Sequence, residues 1–314
     1  MTTPPEIRVG HRRLDRAQRA MLLRRPWWKP WAQLGVVALV YALAGVVLTT
    51  VELGPARWLA CPLMGWILAG CLAAGHDCFH NSFVDSKRGN RVAGALWCAV
   101  VVSNFSALKH AHMVHHRFTR VDGDSEKPFD VPNVAAYFRL LGSSVLALPR
   151  AVIKAVKVLS GRLRLPHLHT PAAERDARID SAMILAWLTV AAALSFYAPY
   201  TMVLVYWLPL AFFPPLAIII AMPEHHGCGG AEATLLAKTR TTTSHWFARL
   251  LIWNSNYHVE HHLYPSVPSC NLPVLHRLIC HEGQHSSPGY LSFHLRLLLE
   301  LARPAIAKGA SRAA

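Results

Sequence analysis

Charged side chains are scarce in this chain: Asp, Glu, Lys and Arg make up 16% of 314 residues, against 53% hydrophobic, where a soluble domain carries about 25%. Too few polar side chains remain to cover a water-soluble particle of this size, so part of the surface is expected to face lipid. Within the charged set acids are scarcer still, 17 Asp and Glu against 32 Lys and Arg, for a formal net charge of +15. The seven cysteines, Cys61, Cys71, Cys78, Cys98, Cys228, Cys270 and Cys280, include no CxxC pair and no regular spacing. That lack argues against a thiolate zinc site or a disulfide framework. Several lie in apolar runs, where cysteine behaves as a small hydrophobe. The Arg-rich start runs into Pro26-Trp27-Trp28 without a small-residue cleavage pattern, so a removable leader is not expected.

What is abundant is long apolar runs and histidine. Runs at 32–51, 58–75, 179–197 and 200–222 are of the length needed, at about 1.5 Å per helical residue, to cross about 30 Å of hydrocarbon. Trp27, Trp28 and Trp31 sit where an aromatic belt meets headgroups. A further stretch, 92–108, is of marginal length and carries Ser103 and Asn104; it reads as a buried or re-entrant helix that stays on one side. Residues 134–159 interleave apolar positions with Arg139, Arg150, Lys154 and Lys157, as interfacial amphipathic helices do, and Arg12 to Arg25 reads as a short surface helix.

Four spans divide the basic residues very unevenly. The N-terminal segment holds 8 Lys and Arg, the 76–178 loop 15 and the C-terminal segment 8, leaving only Arg57 on the opposite face. By the positive-inside rule both termini are cytoplasmic, as expected of a multi-pass protein of a bacterial inner membrane. Orientation thereby accounts for the charge, and a nucleic-acid partner is not expected. The expected fold is an all-α integral membrane protein with about four transmembrane helices and a cytoplasmic helical cap carrying a histidine cage. Its expected divisions are a basic segment 1–31, a membrane domain 32–280, and a C-terminal helix and tail 281–314.

The 19 histidines are not scattered. His76 and His80 form a HxxxH pair; His112, His115 and His116 form one HxxHH, and His258, His261 and His262 another. Random placement would give about 0.07 copies of HxxHH. Residues four apart share a helix face, and the middle histidine of HxxHH is turned about 100° from them. One such box can therefore contact two metals, which suits a dinuclear centre better than a closed four-ligand structural site. Imidazole alone does not choose between iron, copper, zinc and nickel. Pro223-Glu224-His225-His226-Gly227, just after the last run, adds His225 as a ninth candidate ligand, with His226 read as an interface residue. Asp77, Asp124, Glu224 and Glu260 are candidates to orient imidazoles, and Asn254 and Asn256 to hydrogen-bond a ligand or a metal-bound water. His11, His167, His169, His281, His285 and His294 read as solvated, His110 as structural, and His245 and His276 as packing or supporting residues. No catalytic side chain beyond the ligands is expected.

The pieces Gly75-His76-Asp77-Cys78-Phe79-His80-Asn81, His112-Met113-Val114-His115-His116-Arg117, Glu224-His225-His226-Gly227 and Asn256-Tyr257-His258-Val259-Glu260-His261-His262-Leu263-Tyr264-Pro265 resemble the membrane fatty acid desaturase family, within the desaturase–hydroxylase superfamily. Order, spacing and membrane context fit over roughly residues 32–280. The resemblance implies a non-haem site of two Fe that activates O2 and removes hydrogen from an unactivated C–H bond of a lipid or acyl substrate. It also implies a separate electron donor of ferredoxin, rubredoxin or cytochrome b5 type, and zinc is a foreseeable non-native replacement. The first box has three intervening residues where a common family form has four. Carotenoid ketolases and hydroxylases share similar boxes, so oxygenation of a carotenoid or lipid is the alternative. A metal receptor or transporter is disfavoured by the absence of a charged residue mid-span in the last two runs.

Overall fold

The computed structural model describes residues 14–52, 54–127, 129–279 and 285–310, with side chains to 303. Parts of the expected surface helix, including Arg12 and Arg13, and the residues His11, Cys280 and His281 lie outside these. Within them a capping box starts α1 (Arg16–Leu23): the Asp15 carboxylate accepts from Gln18 N at 2.8 Å, and the Gln18 side chain accepts from Asp15 N at 3.0 Å. Leu22 then buries among Leu272, Leu275 and Ile279. α2 (Lys29–Thr50) is the first membrane-length helix, with Val36, Leu39, Leu43 and Val46 exposed along its outer side. A 3₁₀ turn (Gly54–Leu59) leads into α3 (Ala60–Phe79), the second. α3 does not stop at Gly75, as the sequence suggested. The glycine is buried inside the span, and the helix runs on through His76.

α4 (Lys87–Val100) and α5 (Phe105–Phe118) meet at 106°. Asn104, whose side chain accepts from Ala107 N at 2.9 Å, starts the second of them. The 92–108 stretch is thus an elbow rather than a straight crossing. Three contacts with α8 (Pro171–Tyr197), the third membrane-length helix, pin that elbow. Asp180 pairs with Arg91 Nη2 at 2.6 Å and accepts from Ser106 N at 2.7 Å, while Asn104 Nδ2 donates to Ala177 O at 2.8 Å. Gly94 is what lets α4 close on Phe105, because a Cβ there would fall on the ring. Between the elbow and α8 lie two amphipathic helices, α6 (Val134–Ser144) and α7 (Ala147–Leu159), bent by 47°. α8 begins eight residues before the expected span because Thr170 caps it and Pro171 fits its first turn.

The fourth membrane-length element, Pro199–His225, consists of α9 (Pro199–Met202), a π-helical turn (Val203–Trp207) and α10 (Leu208–His225). Its prolines lack the N–H that would bond the carbonyl four residues back, and side chains from other helices fill two of the gaps. Tyr41 OH donates to Val205 O, opposite Pro209, at 2.7 Å, and His294 Nε2 donates to Ile219 O, opposite Pro223, at 2.9 Å. His294 in turn accepts from Tyr137 OH at 3.0 Å and is buried. The sequence reading had placed it in solvent; an open carbonyl on a distant helix explains its burial.

The remaining chain folds over one end of the bundle in short pieces: α11 (Leu235–Lys238), β1 (Thr241–Thr242), α12 (Trp246–Leu251), α13 (His258–Leu263), α14 (Leu272–Ile279), β2 (Ser286–Ser287) and α15 (Tyr290–Ala310). β1 and β2 pair in parallel. The main core joins α3, α4, α8 and α10 with Ile252 and Tyr290 from this cap. Among the described residues the protein is all-α but for that two-residue pair, with four helices long and apolar enough to cross a membrane.

Candidate metal centre

Four helices end or turn at one place. α3 brings His76 and, one residue past its end, His80. α5 brings His112, His115 and His116; α10 ends on His225; α13 carries His258, His261 and His262. The nine imidazoles sort into two groups whose nitrogens lie within 4.8 Å of one another. His76, His80, His112, His116 and His261 make the first, and His115, His225, His258 and His262 the second. The two HxxHH boxes enter reciprocally. The outer pair of the α5 box and the middle residue of the α13 box serve the first group; the outer pair of α13 and the middle residue of α5 serve the second. The 100° offset of the middle position allows this exchange.

The donor set suits metal ions. Nε2 atoms approach at 2.8 Å (His76 with His112, His116 with His112) and 2.9 Å (His116 with His261, His258 with His225). Ligands at right angles around an ion with bonds of about 2.1 Å stand about 3 Å apart. Buried Nε2 atoms of His80, His115 and His262 have no hydrogen-bond partner among the described residues, a cost that coordination would remove. Burial, then the neighbouring imidazoles, push His80, His258, His261 and His262 far below the usual histidine range. These rings are neutral and their lone pairs free at neutral pH.

Partners on the far side of the rings select Nε2 as the inward nitrogen. Nδ1 of His112 donates to Glu126 at 3.0 Å, that of His115 to Asp124 at 2.8 Å, and that of His225 to Lys238 O at 2.9 Å. Nδ1 of His262 lies 3.4 Å from Thr119 Oγ1, whose own proton goes to His115 O at 2.8 Å. Nδ1 of His258 is 3.6 Å from Glu224. Burial acts to raise Asp124, but bonds from His115 and from Glu126 and Arg120 N–H outweigh it and keep that carboxylate below the ordinary range.

Other candidates take different work. Glu260 binds His276 Nδ1 and Thr241 Oγ1, both at 2.5 Å, so it braces α13 through a histidine outside both groups. Asn256 donates to Thr242 O at 2.8 Å and Asn254 to Ser269 O at 3.2 Å, holding backbone rather than imidazole. Asp77 is held by Ser269. His226 bonds Phe129 O at 3.1 Å and stands apart from both groups, as does His110. Sequence reasoning missed Glu126, Thr119 and the Lys238 carbonyl. Glu126 had a signal, two residues after Asp124 and shortly past the box; a main-chain carbonyl has none.

A cavity of about 520 Å³ reaches both groups, touching His76, His112, His225, His258 and His261. Its walls include Leu72, Phe79, Ile218, Ile220 and Met222 from α3 and α10, with Ser125, Glu126 and Lys127 supplying polar lining.

The sequence model of the family described as fatty acid desaturase matches residues 53–294, which hold all nine histidines. The chain belongs to the fatty acid desaturase family. It is therefore an oxidoreductase of the desaturase type. A Sorghum bicolor protein named "Probable fatty acid desaturase DES1" is 26% identical over 317 residues, covering 91% of this chain and 80% of its own length. The Arabidopsis thaliana chloroplastic temperature-sensitive sn-2 acyl-lipid omega-3 desaturase (ferredoxin) is 27% identical, covering 88% and 71%. An endoplasmic reticulum omega-3 fatty acid desaturase of Nicotiana tabacum is 26% identical, covering 84% and 79%.

Proposed function

We propose that this desaturase-family chain is an O2-dependent non-haem di-iron enzyme that places a double bond in a long acyl chain of a membrane lipid. The observation that carries the reading is the meeting of two all-imidazole groups with a largely apolar cavity of about 520 Å³ between α3 and α10. A site of that size and lining takes an apolar ligand of lipid dimensions. Iron, held by His76, His80, His112, His116 and His261 and by His115, His225, His258 and His262, would supply dioxygen activation and the removal of hydrogen from an unactivated C–H bond. Zinc would occupy the same nitrogens without redox chemistry.

The protein's own part is placement and exclusion of water. Leu72, Phe79, Ile218 and Met222 line the seat for methylene groups beside the imidazoles and keep bulk water from the reacting carbon. Glu126, Asp124, Lys238 O and Thr119 fix which nitrogen each ring presents. Two hydrogens leave the acyl chain and, with two electrons from a separate donor and two protons from solvent, one dioxygen becomes two waters. The Arabidopsis relative is named for an acyl lipid and for ferredoxin, which supports an acyl-lipid substrate and a donor of ferredoxin, rubredoxin or cytochrome b5 type here. The basic surplus of 32 Lys and Arg over 17 acids suits an acidic donor. With the histidine end bearing nearly all the basic residues, that end is cytoplasmic, in a bacterial inner membrane.

Expression in a desaturase-deficient host with a working donor, followed by lipid mass spectrometry, tests the reading. Acyl products lighter by two hydrogens are expected. Products that gain oxygen instead would move the chain to hydroxylation or ketolation, and metal-loaded protein with no altered lipid would overturn the proposal.

A further inference from the structure

The segment Lys238–Thr242 contributes no imidazole, yet it touches both elements that build most of the second group. Toward α10, Lys238 O accepts from His225 Nδ1 at 2.9 Å. Arg240 N donates to Glu224 O at 2.8 Å, and Arg240 Nη1 donates to Pro223 O and His226 O, each at 2.7 Å. Carbonyls in the last turn of a helix have no partner within it, and here one arginine satisfies three around the ligand residue. Toward α13, Thr241 Oγ1 donates to Glu260 at 2.5 Å and accepts from Val259 N at 3.3 Å. Thr242 exchanges bonds with Asn256, N to O at 3.0 Å and Asn256 Nδ2 to Thr242 O at 2.8 Å. Pairing with Ser286 and Ser287 anchors the strap from outside.

We propose that Lys238–Thr242 is a positioning strap that sets His225 against His258 and His262, with Arg240 and Thr241 as its two fasteners, and so controls one metal position of the two. This rests on the two-metal reading above. His225 closes an α10 that carries Pro214, Pro215 and Pro223, and α13 is only six residues long. Neither element fixes its own end. The strap ties them to each other over a few residues, whereas four rings of the first group stand in i, i+4 pairs on α3 and α5, His80 at the cap of α3 and the others within the helices. The first group takes one of its five rings, His261, from α13, and the second takes three of its four from the tied elements, so loss of a strap bond is felt most in the second group.

The test titrates purified full-length protein with cobalt(II) alone, without substrate or donor, and counts bound metal per chain by equilibrium dialysis. Wild type is expected to take up two. Thr241→Val keeps the side-chain volume and removes the hydroxyl. It should weaken one metal about tenfold to a hundredfold, the usual cost of losing a supporting partner, and the other much less. Thr241→Ser should restore both, and Arg240→Gln should repeat the selective loss. Combined with His262→Ala, Thr241→Val should cost little more; combined with His80→Ala, it should weaken the remaining metal about tenfold to a hundredfold. Two undiminished affinities in Thr241→Val, or equal weakening of both, would overturn the strap. A wild type that takes up fewer than two metals would instead overturn the two-metal reading beneath it.

Discussion

The five-imidazole group takes four members in i, i+4 pairs from α3 and α5, and among the described residues only His112 has an acceptor on Nδ1. The four-imidazole group draws on α5, the last residue of α10 and the short α13, and each of its rings has a polar partner facing Nδ1. One group is oriented by helix register, the other by hydrogen bonds reaching in from loops. The same ligand chemistry thus has two kinds of support, and the two should fail in different ways.

The largest effect comes from removing an imidazole on each side. His116→Ala takes away a ring that touches both His112 and His261 in the first group; His262→Ala takes a buried ring from the second. Each variant should lose desaturation to background and keep one metal of two, counted by mass spectrometry of the purified protein. A variant that empties both positions would show that the groups do not fill separately.

Next in size is a change that spares every histidine and strikes the first group through its helices. Asp180, buried at 2% exposure, holds Arg91 and the Ser106 N–H in the first turn of α5. Asp180→Ala takes from Arg91 its closer carboxylate, leaving Asp176 at 3.6 Å, and removes the acceptor of Ser106 N; with Arg91 a quarter exposed, the cost should fall below the about 3–5 kcal/mol of a fully buried pair. Thermal unfolding in detergent should show the loss. Metal should fall mainly from the first group, since α5 supplies two of its rings and one of the other's. Equal loss from both groups would mean that the elbow supports the site as a whole.

This contrast also explains what the sequence could disclose. Pairs such as His76/His80 and His112/His116 are written at the spacing of a helix face, and the four apolar runs announce the bundle. Asn104 and Thr170 are short polar residues at helix starts, and they govern the elbow and the early beginning of α8. Support for the second group joins residues far apart in the chain, Thr119 to His262 and Lys238 to His225, and in the latter the acceptor is backbone. No residue-type pattern marks such a contact. His294 escaped notice for a similar reason, because its burial depends on a carbonyl opened by Pro223 on another helix.

A smaller effect compares one outer carboxylate on each side. Asp124→Asn weakens the acceptor on His115, buried in the second group; Glu126→Gln does the same to His112, where Glu126 is half exposed at 47%. Losing such a partner costs about tenfold to a hundredfold in metal affinity. Asp124→Asn should reach that range. Glu126→Gln should fall short of it, because His112 is already set by its helix and the exposed carboxylate is screened by water. Cobalt titration of the two variants measures the difference; equal losses would remove the distinction between register and hydrogen bonding.

The last effect is carried by protons, is smallest when read as the change one ring makes, and should be shared by both groups. In metal-free protein His80 and His261 of the first group and His258 and His262 of the second are all held below the ordinary value of 6.5 by burial. The unfolded chain gains protons on these rings as pH falls through about 6.5, while the folded chain does not. The unfolded state then binds more protons, so stability rises with pH and falls on acidification, by up to about 1.4 kcal/mol per pH unit for each such ring. Chemical unfolding of the metal-free protein between neutral pH and about pH 5 should show this slope. Replacing one ring from each side, His80→Ala or His262→Ala, should flatten it by similar amounts. A flat profile in the parent would mean that both groups admit water when empty, and a change confined to one variant would mean that only that group is dry.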